Sequence, residues 1–150
     1  MSRIAIGCDE AGFQLKEAIK RYMTDLGEEV TDYGVHSLEP VLYPDIAVQV
    51  SKAVASGKHE RGILICGTGI GMAIAANKVP GIRASVCHDP YSAERSRKSN
   101  NAQIMALGAR VVGEELAKML VSIWLKSEFQ GGGSTAKVER ICQYEEEFRK

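Results

Sequence analysis

The chain lacks a net charge, a paired-cysteine motif and a long apolar run. Nineteen Lys and Arg residues balance 19 Asp and Glu residues, so no global field draws the molecule to nucleic acid or to an anionic membrane. Nothing approaches the roughly 18 consecutive apolar residues of a membrane span. Met1-Ser2-Arg3 leads into an apolar run that ends at Gly7, too short for the apolar segment of a signal peptide, which makes a cytoplasmic protein the expectation. The four cysteines (Cys8, Cys66, Cys87, Cys142) form no C-x-x-C pair, and His36, His59 and His88 are scattered, so a zinc site has no support. Free thiols in a reducing compartment are expected. Prolines number only 4, and no stretch is biased enough to suggest disorder or a long linker, so the 150 residues are expected to form one domain, 1–150.

What is present is a regular alternation of short apolar runs with helical patterns. Strands are expected at 3–8, 29–33, 62–66, 82–87 and 104–107. Between them lie a helix from Phe13 to Leu26, ended by Gly27, and another opened by Pro44 and stopped at Gly57. A helix continues through Met72–Ala76, and a further one is capped by Asp89 and started by Pro90. Glu114–Lys126 reads as an amphipathic helix with Leu116, Leu120, Ile123 and Trp124 on one face. Gly131-Gly132-Gly133-Ser134 sets off a last helix carrying Val138, Ile141, Cys142 and Phe148, which packs on its own domain or on a second subunit. The alternation predicts an α/β fold: a five-stranded parallel sheet with helices on both faces, Rossmann-like, plus the C-terminal helix. Ligands of such sheets bind beyond the carboxyl ends of the strands. Asp9-Glu10, Cys66–Gly71, His88-Asp89 and Gly108–Arg110 all fall at those ends.

Gly62-Ile63-Leu64-Ile65-Cys66-Gly67-Thr68-Gly69-Ile70-Gly71 is the stretch with the most chemistry. It is neither a P-loop, because no Gly-Lys-Ser/Thr follows, nor the dinucleotide fingerprint, whose spacing and first-strand position it lacks. A tight turn for close helix packing is one reading. The other is an anion or oxyanion cradle of backbone N–H groups, flanked by Thr68 and by the Cys66 thiol. A thiol beside a helix start has its thiolate favoured, and proton abstraction needs only a substrate proton within hydrogen-bond reach. A nucleophile would want a histidine beside it, and the sequence places none there. Asp9 and Glu10 read either as a helix cap with an acidic first turn or as carboxylates for substrate hydroxyls. Arg110 and Lys137 are candidates for phosphate, each equally readable as a surface group.

Gly7-Cys8-Asp9 with Gly12, the Cys66–Gly71 run, Ala75-Ala76-Asn77-Lys78, Gly81-Ile82-Arg83-Ala84, Pro90-Tyr91-Ser92-Ala93 and Gly108–Gly113 closely resemble ribose-5-phosphate isomerase B. The galactose-6-phosphate isomerase subunits belong to the same family, and the likeness covers nearly the whole chain. The resemblance implies a Rossmann-like homodimer or tetramer, no cofactor, and an active site shared between two subunits, with the 128–150 segment packing at the interface. It implies aldose–ketose isomerisation through a cis-enediolate, as between D-ribose 5-phosphate and D-ribulose 5-phosphate. Cys66 would move the proton between C1 and C2, Thr68 would assist, and the N–H groups of Gly67, Gly69, Ile70 and Gly71 would stabilise the oxyanion. Asp9 would bind sugar hydroxyls, Asn100 and Arg110 match substrate contacts, and Lys137 stands where the family often has an arginine on the phosphate.

Three positions depart from that pattern. Asp9 is followed by Glu10 where the family usually has histidine. Ser99-Asn100 stands where the family has His-Asn, whose histidine opens the sugar ring. Gly133 falls where a phosphate-binding arginine is usual. A serine cannot replace an imidazole near neutral pH. The departures therefore admit a substrate that needs little ring opening, such as erythrose 4-phosphate with erythrulose 4-phosphate, or an unphosphorylated sugar. His88 is a second possible source of imidazole, which would restore the pentose reading. A non-catalytic phosphate- or nucleotide-binding module is the remaining alternative.

Overall fold

The run Arg61–Cys66 is buried at every position, as an apolar segment without alternation requires of a strand covered on both faces. In the computed structural model, which describes residues 3–150, this strand is the middle of five. We label them β1 (Arg3–Cys8), β2 (Glu29–Asp32), β3 (Arg61–Cys66), β4 (Ala84–Val86) and β5 (Ile104–Gly108). They lie in the order β2-β1-β3-β5-β4, with every neighbouring pair parallel. The expected fourth strand is shorter than its apolar run, because the Ile82 N–H turns back to Val79 O and only the next residues reach β5.

Six helices, α1 (Phe13–Asp25), α2 (Tyr43–Ala55), α3 (Ile70–Ala76), α4 (Pro90–Lys98), α5 (Glu114–Lys126) and α6 (Gly133–Phe148), complete the chain. Successive strand side chains point to opposite faces, so each central strand feeds two cores. Ile4, Ile6, Ile63 and Ile65 pack under α1, α4 and α5, which add Ile19, Met23, Ala93, Leu120 and Trp124. Ala5, Leu64, Cys66 and Ile104 face α2 and α3, which add Val50, Val54, Met72 and Ala76. The result is the expected three-layer α/β/α architecture. On α5 the buried stripe is Ala117, Leu120, Val121 and Trp124, while Leu116 turns outward; small Ala117, not Leu116, faces the core. No helix among the described residues is long and apolar enough to cross a membrane.

Lys16, Arg61 and Arg97 are buried charges that the sequence did not foreshadow, and Lys16 is the most deeply buried. Lys16 on α1 is fully buried, and its Nζ donates to both carboxylate oxygens of Asp32, at 2.9 and 2.8 Å, and to Val35 O at 2.6 Å. Lys20 joins the same carboxylate at 2.8 Å, and the Gly34 N–H donates to Asp32 Oδ1. Burial alone would raise the Asp32 carboxyl, but the hydrogen bonds from Lys16, Lys20 and Gly34 outweigh it and hold the group below its ordinary 3.8. This knot ties α1 to the end of β2 and anchors the loop that leads to Tyr43.

Candidate active site

Because β1, β3 and β5 are adjacent and parallel, the loops at their carboxyl ends converge on one edge of the sheet. There the expected residues Asp9, Cys66, Gly67, Thr68, Gly71 and Arg110 line a single cavity of about 210 Å³. Cys66 ends β3, and its Sγ accepts a hydrogen bond from the Gly69 N–H at 3.1 Å, which fixes the sulfur at the cavity wall. The loop can fold back this sharply because Gly69 adopts φ +79°, and a Cβ there would lie 2.9 Å from the Leu107 carbonyl carbon. Thr68 is exposed at the mouth, its Oγ1 accepting from the Ile70 N–H at 3.2 Å. Two of the N–H groups expected to face an oxyanion are thus engaged within the loop itself. Gly69 is buried, and the Ile70 side chain points to solvent instead of into the cavity.

Asp9 caps a turn and also lines the cavity. Its Oδ1 accepts from the Gly12 N–H at 3.1 Å, capping a short 3-10 turn, while the carboxylate lines the cavity. Burial raises this carboxyl above its ordinary 3.8; the Gly12 hydrogen bond opposes the rise and the Glu10 carboxylate adds to it. Glu10 sits in the same 3-10 turn but does not line the cavity, and its Oε2 is buried without a hydrogen-bond partner. Arg110 crosses from the end of β5, where its N–H bonds Gly67 O at 3.0 Å, and its guanidinium lies over Gly67. The cavity therefore holds one thiol, the hydroxyls of Thr68 and Tyr43, one carboxylate and one guanidinium on a sheet edge. That set can hold a polyhydroxylated anion and move a proton on it. The neighbouring thiol, Cys8, faces the core, and burial pushes it up to about 12.

Tyr43 completes the cavity wall and escaped the sequence reading. Its ring packs against Gly71 so closely that any Cβ there would collide with the phenol. Pro44 marked the helix start beside it, but nothing in the spacing of residues 43 and 71 shows that they meet.

Three expected residues are elsewhere. Ser99 and Asn100 close α4, which runs back from the carboxyl edge toward the amino edge, and Asn100 lines two other cavities. Lys137 is exposed on α6. Ser99 Oγ accepts from Arg95 Nε at 2.8 Å. His88 is not part of the Cys66 cavity: its Nε2 accepts from the Gly108 N–H at 2.9 Å, and burial holds its pKa below the ordinary value. Among the described residues no group of three or more His, Cys, Asp or Glu side chains comes together to hold a metal ion.

The family model for Ribose/Galactose Isomerase matches residues 4–141. D-erythrulose-4-phosphate isomerase of Pectobacterium atrosepticum is 58% identical, over 97% of this chain and 96% of its own. Ribose-5-phosphate isomerase B of Escherichia coli is 51% identical, over 97% of this chain and 98% of its own. The solved structure of Clostridium thermocellum ribose-5-phosphate isomerase B superposes with a TM-score of 0.96 at 51% identity, covering 97% of this chain and 99% of that one. A binding-only module is thereby set aside. With a cysteine, a threonine and an aspartate gathered at the carboxyl edge of a β2-β1-β3-β5-β4 sheet, and with matches spanning nearly its whole length, the chain belongs to the Ribose/Galactose Isomerase family.

Proposed function

We propose that this isomerase interconverts D-erythrose 4-phosphate and D-erythrulose 4-phosphate. The observation that carries the choice of sugar is Ser99, whose hydroxyl is held by Arg95 at 2.8 Å where the resemblance expects a ring-opening imidazole. A tetrose 4-phosphate needs no such group. Phosphate on O4 removes the hydroxyl that would close a five-membered ring, so the substrate arrives with its carbonyl free. The 58% identity to an enzyme named for erythrulose 4-phosphate supports the same reading. Ribose 5-phosphate is the second reading, supported by the 51% identical ribose-5-phosphate isomerase B.

In this mechanism the Cys66 thiolate removes the proton from C2 of the aldose and leaves a cis-enediolate. The proton returns to C1, while Thr68 relays a proton from O2 to O1, so no atom is gained or lost. Loop N–H groups not engaged with Cys66 and Thr68, together with Arg110, balance the negative charge that develops on the oxygens. Asp9 accepts hydrogen bonds from sugar hydroxyls, and Tyr43 packs over the carbon chain. The acting form is a homodimer or a dimer of dimers in the cytoplasm, in which Asn100 and Lys137 of a second copy close the far end of the cavity. Exposed Ile70 and Ile74 on α3, and Ile141, Tyr144 and Phe148 on α6, are the apolar surface that such a copy would cover. The 128–150 segment belongs to that interface.

Purified enzyme assayed on erythrose 4-phosphate and ribose 5-phosphate decides the substrate. A kcat/KM at least about tenfold higher for the tetrose phosphate is expected. Equal or better turnover of ribose 5-phosphate would overturn the assignment.

A further inference from the structure

Arg95 stands one helical turn before Ser99 on α4, so the two side chains share a face. Its Nε donates to Ser99 Oγ at 2.8 Å and its Nη2 reaches Gln130 Oε1 at 3.4 Å. The guanidinium thus bridges the end of α4 to the residue just before the Gly131–Gly133 break. Its only carboxylate neighbour at ion-pair distance among the described residues is Glu94, at 3.9 Å, and Glu94 binds Lys98 more closely, at 3.1 Å. The positive charge is therefore largely uncompensated.

That charge faces a cavity of about 290 Å³ whose walls include Ser85, Ser92, Ser96 and Asn100, and none of its lining residues is a carboxylate. Asp89, which Ser92 Oγ reaches at 2.6 Å, is engaged in capping α4. The Cys87 thiol on the wall is neutral, since burial raises its pKa. Hydroxyl and amide groups around one guanidinium with no close carboxylate suit a phosphate. This cavity shares no lining residue with the one that holds Cys66. β4 lies two strands from β3, about 10 Å away, and Arg95 is displaced by about 7 Å along α4 toward the amino edge.

We propose that Arg95 binds the phosphate of the sugar phosphate in the site of a second copy of this chain, supplying there the guanidinium that Gly133 does not. The inference rests on the isomerase reading and its shared site. It accounts for two departures together: Ser99 serves as an acceptor that aims Arg95, and the phosphate is met at the level of Ser99, nearer the reacting carbons, as a shorter sugar requires.

The test compares Arg95→Met and Arg95→Lys with wild type, on whichever of erythrose 4-phosphate and ribose 5-phosphate the wild type turns over faster. Inorganic phosphate serves as the competitive inhibitor. Arg95→Met is expected to raise both KM and the inhibition constant of phosphate at least tenfold with little change in kcat, and Arg95→Lys to restore part of the loss. A fall in kcat with an unchanged phosphate inhibition constant would show a structural role and overturn the proposal. Placement in the partner's site is tested by mixing Cys66→Ala with Arg95→Met chains and assaying well below KM. Random re-pairing should recover roughly a quarter of wild-type activity, because half the dimers are mixed and each holds one intact site; no recovery would refute the placement. A preference for ribose 5-phosphate would refute the tetrose assignment alone, since phosphate inhibition reads Arg95 with either sugar.

Discussion

Cys66 and Asp9 line the same cavity, and each makes a separable prediction. If Cys66 carries the proton as proposed, Cys66→Ala should lower exchange of the substrate C2 proton with solvent by about 10²–10⁴-fold with the fold intact by circular dichroism. Persistent exchange would assign the base elsewhere. In the proposed mechanism Asp9 is the stronger acceptor when ionised, and its raised pKa means that this form is lost on acidification at a higher pH than for an ordinary aspartate. The kcat/KM profile should therefore show an acid limb above pH 3.8, and Asp9→Asn should abolish that limb while lowering the plateau. Gly71→Ala forces the Tyr43 ring off the cavity wall, a cheap movement for a surface side chain. Activity should drop at least about tenfold while Tm shifts by only about 2 °C. These residue identities were legible because a cysteine, three glycines and a threonine in six positions after an apolar run have few other uses. Tyr43 was not, because its role depends on a contact across 28 residues that no local pattern encodes.

At the scale of elements, the Lys16–Asp32 knot is where side chains set the position of a loop. Lys16→Met strips the buried carboxylate of its main partner and should cost about 3 kcal/mol, the low end for a broken buried pair because Lys20 remains. Urea unfolding of the variant reads this directly. The sign with pH follows from the depressed pKa of Asp32. Its contribution is complete above the unfolded value of about 3.8 and is lost as pH falls below that toward the folded value. Wild-type stability should therefore decline more steeply below pH 4 than that of Lys16→Met. The strands, helices and their order could be read from periodicity, since burial on one face leaves a 3.6 or a 2.0 repeat in the chain. Buried Lys16 could not, because a lysine within an amphipathic helix ordinarily marks the solvent side, and only the convergence of Asp32 and Val35 O makes its burial tolerable.

For the whole molecule, the unpartnered apolar faces govern behaviour. Phe148 is 78% exposed and Ile74 59%, and of the sixteen residues of α6 only Val138 is buried. Such surface on α3, which continues directly from the Cys66–Gly69 loop, predicts that assembly and activity are coupled. Ile74→Glu should yield a folded monomer by sedimentation, with kcat/KM reduced at least about tenfold. A fully active monomer would show that one chain suffices. Within one chain Ser99, Asn100 and Lys137 lie apart from Cys66, and the proposed second copy would bring them to one substrate.

By itself the sequence determined the layer architecture and set the Cys66–Gly71 loop at the carboxyl edge of the sheet, because both are written in short-range terms: the side-chain repeat of each element, and a loop whose glycines, thiol and hydroxyl are contiguous. Only the tertiary structure decided which distant groups share a cavity. It brought Tyr43 to Gly71, set Arg110 over Gly67, gave Ser99 to Arg95 and drew His88 to the Gly108 N–H. The physical reason is that such contacts depend on how parallel strands order themselves and where helices cross them, which no spacing along the chain specifies.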